Sequence, residues 1–175
     1  MAHRFNPEHK EKLDTKQRRR NLPPDKVLEK LGLKQSDTVA DIGCGIGYFT
    51  IPMAKMVTNQ VYAVDISQEM LDELVVKKEE AGLNNIELIN SQTNLDELVD
   101  NSIDFMLMSN LVHEVKDKEE FLNYYINKLK SNGSLAIIDF KEIDSEFGPP
   151  ITEKISKAKI YKLLQKIGLE TKLVT

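Results

Sequence analysis

Three glycines, Gly43, Gly45 and Gly47, stand at alternate positions in the stretch ADIGCGIGYFT (residues 40–50), and an acid, Asp41, precedes the first by two residues. Glycine gives up more backbone freedom on folding than any other residue, so a cluster this dense implies that something approaches bare main chain there. The spacing is G-x-G-x-G, not the G-x-G-x-x-G of nicotinamide-binding folds. Asp41 widens the difference, because a carboxylate at this point opposes a pyrophosphate and suits a ligand with an ammonium or sulfonium centre. A second acid, Asp65, ends the next apolar stretch, 22 residues after Gly43. A carboxylate there can accept hydrogen bonds from both hydroxyls of a ribose. One acid near a positive centre and another on a ribose describe S-adenosylmethionine better than a dinucleotide, which disfavours an NAD-dependent oxidoreductase. The plainer alternative is that Asp41 caps the loop and Asp65 only precedes a helix start.

The elements that must carry these residues follow from apolar periodicity and from the stop signals between runs. Residues 1–22 are polar and predict a helical arm ending at Pro23-Pro24. A helix then starts near Asp25, with Val27, Leu28 and Leu31 at helical spacing and Gly32 as its stop. TVADIG (38–43) reads as a buried strand, and YFTIPMAKMV (48–57) as a helix holding Pro52 in its first turn. QVYAVDIS (60–67) is a second strand, and Ser67 caps a helix that closes at Gly82. IELINSQ (86–92) and SIDFMLMSN (102–110) are strands three and four. Residues 117–133 form a helix, 134–142 the fifth strand, 151–168 a last helix and 169–175 a sixth strand. This alternation implies right-handed crossovers and an α/β fold with a doubly wound, mostly parallel sheet. Ligands in such sheets sit beyond the carboxyl ends of the strands, where strand order reverses, and the glycine loop follows the first strand.

At 175 residues, 41% hydrophobic and 30% charged, the chain has the make-up of one globular domain with its own core. No apolar run reaches the ~18 residues of a membrane span and no apolar signal core opens the chain, which makes the cytoplasm the expected location. Cys44 is the lone cysteine, which excludes an internal disulfide and a cysteine-rich zinc site, and no metal is expected. The expected role of its thiol is that of a small buried filler, against a nucleophile. A formal charge of −4 argues against a dedicated nucleic-acid binder. The charge is uneven: residues 1–30 carry +4, leaving −8 for the remainder. Lys16, Arg18, Arg19 and Arg20 concentrate the positive charge. They could touch an anionic substrate or an acidic partner, or form a solvated helix face.

VADIGCGIGYF followed by VYAVDIS closely resembles the cofactor-binding signature of class I S-adenosylmethionine-dependent methyltransferases. The resemblance continues through NSQTNLDELVDNSID, SNLVHEVKDKEEFLN and LKSNGSLAIIDF, over roughly residues 25–142. Its flavour is that of the small branch that includes quinone-biosynthesis C-methyltransferases. It implies a Rossmann-like methyltransferase fold in which residues 1–24 are a basic helical arm, 25–147 the S-adenosylmethionine-binding core, and 148–175 the C-terminal helix and strand of the same domain. It also implies a pocket. Asp41, Gly43 and Gly45 belong at the methionine end, with the backbone of Cys44 and Ile46 beside them. Asp65 holds the ribose, and Ile66 packs on the adenine face. Gln92 and Thr93 fall where the family usually has an acid and a small residue near the adenine amine, so an amide stands in for a charge. Ser109 and Asn110 end strand four beneath the reactive methyl.

The same resemblance puts His113 and Glu114 in the turn that faces the methyl. His113 is the only histidine outside the arm, and imidazole ordinarily titrates in the range that suits proton transfer near neutrality. It is either a base or a residue that caps and packs beneath the following helix. Strand four ends Ser109-Asn110-Leu111-Val112, without the Asn-Pro-Pro-aromatic motif of amino-group methylases acting on nucleobases or glutamine. Phe121, Tyr124 and Tyr125 follow helical spacing and are expected in the core, while Phe5 in the arm could close over an acceptor. The family's sheet normally has seven strands, and no sequence is left here for the seventh. The edge beside strand five then needs cover, for which a homo-oligomer is one candidate. No substrate domain is inserted, which favours a small-molecule acceptor. The expected function is methyl transfer from S-adenosylmethionine. The alternative is a non-catalytic S-adenosylmethionine-binding regulatory or partner subunit, because the same motifs serve both.

Overall fold

A computed structural model describes residues 13–144 and 148–174. Its centre is a parallel sheet of five strands in the order β3-β2-β1-β4-β5. The strands are β1 (Val39–Ile42), β2 (Val61–Asp65), β3 (Ile86–Asn90), β4 (Ile103–Ser109) and β5 (Leu129–Ile138). The helices are α1 (Lys16–Asn21), α2 (Pro24–Leu31), α3 (Thr50–Met56), α4 (Gln68–Glu80), α5 (Lys118–Ile126) and α6 (Lys157–Lys166). β1 is buried along its whole length and β4 nearly so, as strands covered on both faces must be. One core, around Leu28, Phe49, Met53, Leu74 and Phe105, joins α2, α3 and α4 to one face of the sheet. The other, around Ile42, Ile89, Met106, Leu122 and Tyr125, joins α5 and α6 to the opposite face. Fully burying a side chain such as Leu74 or Met106 contributes about 1.5–3 kcal/mol.

This is the doubly wound architecture that the alternation implies, and local signals end most elements where they were read. Gly32, at φ +85°, stops α2, and the Ser67 hydroxyl accepts from the Met70 N–H at the start of α4. The chain builds β1, β2 and β3 outward in one direction, then places β4 on the other side of β1. Strand order therefore reverses between β1 and β4, and their carboxyl ends, Ile42 and Ser109, flank the crevice where a ligand belongs.

Three elements differ from the sequence reading. α5 stops at Ile126 and β5 begins at Leu129, where residues 127–133 were expected to continue the helix. The cause is a close approach: a Cβ on Gly133 would lie 2.8 Å from the Ile103 carbonyl oxygen, so this stretch hugs β4 through a register shift. α6 begins only at Lys157, because Lys154 and Ile155 are buried in extended chain ahead of the Ser156 cap. Residues 169–174 form no strand. Apolar alternation does not suffice without a neighbour to pair with, and Leu173 and Val174 are exposed. β5 is thus the sheet edge among the described residues.

Phe5 and the rest of residues 1–12, residues 145–147 and Thr175 lie outside the described residues. Among the described residues, no helix is long and apolar enough to cross a membrane, and no group of three or more metal-ligating side chains gathers.

Candidate functional site

The turn after β1 is pinned to β2, since Gly43 and Cys44 both donate their N–H to the Val64 carbonyl, at 2.8 and 3.0 Å. Gly43 has φ +73°, and a Cβ there would lie 2.9 Å from the side chain of Leu111, which follows β4. The loop and the end of β4 therefore meet at bare backbone. At Gly47, φ +84°, an added Cβ would overlap Leu74 of α4. The Gly45 N–H donates to Asp65 Oδ2 at 2.8 Å, and the Ser67 N–H to Asp65 Oδ1 at 2.9 Å. A carboxylate has room for about four donors, so Asp65 keeps acceptor capacity for two hydroxyls.

Asp41 lies in a different environment. It is 2% exposed, and the Thr50 hydroxyl donates to its Oδ2 at 2.6 Å. Burial is the largest influence and pushes its pKa up to about 6. The Thr50 hydrogen bond opposes that shift, the nearby Asp65 charge adds to it, and Arg18 opposes it. A carboxylate so placed gains from a cation brought beside it.

The other expected residues divide into groups. Ile66 is 40% exposed next to Asp65, an apolar surface open to a flat ring. Cys44 is buried and burial raises its thiol pKa well above the ordinary value, which matches the filler role and not a nucleophile. Ile46 is buried, and its carbonyl accepts from Lys77 Nζ at 3.1 Å. Gln92 and Thr93 are exposed in the turn after β3, and their backbones wrap Asn90: Gln92 N–H donates to Asn90 Oδ1 and Thr93 N–H to the Asn90 carbonyl. Asn90, which the sequence reading passed over, pairs with Asp65 in the β2–β3 ladder and is 9% exposed. Its signal was a polar residue closing an otherwise apolar strand. Asn110, at φ +55°, donates its N–H to the Ile138 carbonyl at 2.7 Å and turns the chain toward Leu111. Ser109 Oγ is buried at the crevice with no hydrogen-bond partner, a deficit that a ligand there would fill.

Beyond Leu111, His113 Nδ1 lies 2.7 Å from Asp139 Oδ1, with the two side chains 5% and 4% exposed. Asp139 also accepts from the His113 backbone N–H at 3.2 Å and the Phe140 N–H at 2.8 Å. A carboxylate engaged only as an acceptor assigns a proton to Nδ1, and Nε2 stands 3.8 Å from Glu114 Oε1. Asp139 was not singled out from sequence. Its available signal was an acid just past β5, whose Ile138 pairs with Ser109.

The basic run of the arm is only partly solvated. Lys16 and Arg20 are exposed, whereas Arg18 lies over the Tyr48 ring at 4.1 Å and donates to the Leu13 carbonyl at 2.6 Å. Arg19 pairs with both oxygens of Asp14. The Tyr48 hydroxyl donates to the Leu22 carbonyl at 2.6 Å, and the Leu13 side chain lies 3.4 Å from the position of a Cβ on Gly45. The arm therefore packs against the glycine loop. Tyr125 is buried with Phe121 and Tyr124 packed on its cluster, the core role expected of all three.

Comparison with known proteins agrees with this geometry. A family model described as a methyltransferase domain matches residues 39–133. The ubiquinone/menaquinone biosynthesis C-methyltransferase UbiE of Klebsiella pneumoniae subsp. pneumoniae is 29% identical over 143 residues, covering 78% of this chain and 54% of that protein. The UbiE of an Enterobacter species is 31% identical over 130 residues, covering 73% and 49%. The chain thus spans about half the length of the curated relatives it matches. Among solved structures, a SAM-dependent methyltransferase from Aquifex aeolicus superposes with a TM-score of 0.90 at 34% identity, covering 97% of this chain and 92% of that one.

Proposed function

The chain belongs to the class I S-adenosylmethionine-dependent methyltransferases, and from that premise we propose that it moves a methyl group from S-adenosylmethionine to a small-molecule acceptor. The observation that carries the reading is the pair of carboxylates, Asp41 and Asp65, set on adjacent strands around the glycine loop. The residues present fit the cofactor: Asp65 has acceptor capacity to spare, Asp41 is buried and favours a cation, and Ser109 Oγ lacks a partner. Asp65 and Ile66 would hold the nucleoside, with Asn90, Gln92 and Thr93 at its base end. Asp41 and the backbone of Gly43, Cys44, Gly45 and Ile46 would hold the methionine end, above Ser109 and Asn110.

When bound, the cofactor supplies a methyl group already activated on a sulfonium. The chain's share is alignment and exclusion of water, which lower barriers by ~7–11 kcal/mol in favourable systems. His113 Nε2 takes the acceptor's proton, while Asp139 holds the ring in one tautomer and stabilises the imidazolium that forms. A buried His–Asp pair beside the crevice favours transfer over binding alone.

The test is incubation of the protein and S-adenosylmethionine with fractionated small-molecule extract, followed by mass-spectrometric detection of S-adenosylhomocysteine. Acceptor-dependent product supports the proposal. Tight cofactor binding without turnover on any fraction would instead favour a non-catalytic binding subunit.

A further inference from the structure

A cavity of about 640 Å³ opens where the start of α5 faces the chain leading into α6. Its charged lining consists of Lys116, Lys118, Lys154 and Lys159 against one acid, Glu153, with His113 at its wall. That excess of cations stands within residues 31–175, which carry a net charge of −8. Two of the lysines are held in place and not left to swing in water. Lys118 Nζ donates to the carbonyls of His113 and Val115, and Lys154 Nζ to the Ile143 carbonyl at 2.8 Å. Burial lowers the Lys118 pKa, Asp139 opposes that, and the charge of Lys159 lowers it further. Like charges gathered around one cavity, with Lys118 half-buried and Lys154 buried among them, cost free energy that an anion there would offset. Val115 and Leu163 add apolar wall for a carbon skeleton, and the volume lies in the range of small-molecule sites.

The cavity also adjoins the crevice. Leu111 lies over Gly43 on the cofactor side, and His113, two residues on, lines the cavity, a span of at most ~7 Å of chain. We propose that this cavity seats an anionic group of the methyl acceptor, a carboxylate or a phosphate ester, gripped by Lys116, Lys118 and Lys159 while the acceptor's body lies against His113. The proposal rests on the methyltransferase reading. It narrows the acceptor class to small anions.

The experiment is calorimetric titration of the full chain with benzoate, glycerol 3-phosphate and inorganic phosphate, with and without S-adenosylhomocysteine. Salt is kept at roughly 10 mM, where screening is weak. The comparison protein carries Lys116→Gln and Lys159→Gln, both at exposed positions. At least one anion is expected to bind, and to bind the double variant about tenfold or more weakly, the scale of lost charge-assisted contacts. S-adenosylhomocysteine affinity is expected to be equal in the two proteins. Preference for benzoate marks a carboxylate acceptor, and preference for glycerol 3-phosphate a phosphate ester. Binding of none of the three, or equal binding to both proteins, overturns the proposal. Failure of S-adenosylhomocysteine to bind the unaltered chain is a separate result, which removes the methyltransferase reading and the acceptor role with it.

Discussion

Asp41→Asn probes the centre of the site while nearly preserving its shape. The carboxyl is 2% exposed, and burial raises its pKa from 3.8 to about 6. A folded-state pKa above the unfolded one means that the folded protein binds more protons between those two values. The stability this group contributes is fully present below about pH 4 and is lost as pH rises through about 6. One proton of difference gives a slope of ~1.4 kcal/mol per pH unit, so about 3 kcal/mol is lost by neutrality. Asparagine cannot ionise, yet its carbonyl can still accept from the Thr50 hydroxyl. Burying its amide N–H carries a cost of its own, but that cost is constant and moves the curve without changing its slope. Urea denaturation of both proteins from about pH 4 to pH 8 should therefore show the variant gaining about 3 kcal/mol on the wild type by pH 7 and nothing further above it. S-adenosylhomocysteine should bind the variant about 10-fold to 100-fold more weakly at neutral pH, because a charged contact to its ammonium becomes neutral. A stability difference that stays flat with pH would refute the buried-carboxylate reasoning, and unchanged affinity would take Asp41 out of the methionine end.

Asp65→Ala should weaken S-adenosylhomocysteine binding about 100-fold or more by calorimetry, since two hydrogen bonds to a charged acceptor go at once; undiminished binding would cancel the ribose assignment. His113→Ala should slow turnover by about 10²–10⁴ with cofactor affinity unchanged, and Asp139→Asn should slow it less. Equal rates for His113→Ala and wild type would return the histidine to a packing role. Gly47→Ala should lower unfolding free energy by about 1–3 kcal/mol in urea titrations, because it combines a positive φ with overlap against Leu74; a smaller loss would mean that α4 shifts to make room.

The parts of the molecule legible from sequence are those decided locally. Asp41 and Asp65 each sit at the end of an apolar run beside a turn signal, so their place at the carboxyl ends of adjacent strands could be read before any contact was known. Gly32 and Ser67 mark helix ends through their own backbone and side-chain chemistry. What escaped was set by distant neighbours. Asp139 meets His113 across 26 residues of chain, and nothing near either residue announces the pair. Residues 127–133 have a helix-compatible composition, yet the chain turns at 127–128 and contact with Ile103 holds 129–133 in a strand. LETKLV alternates like a strand and stays unpaired. Arg18 looks like one charge in a solvated row until the Tyr48 ring is found beneath it.

Gly133 lies midway along β5, short of the pocket, yet it bears on which way Asp139 emerges. Side chains along a strand alternate between faces, so a slip of one position would carry every following residue to the reverse side of the sheet. The tight seat of Gly133 against the Ile103 carbonyl anchors that count six residues ahead of the carboxylate. A bulkier residue there would leave both members of the His113–Asp139 pair in the chain and separate them.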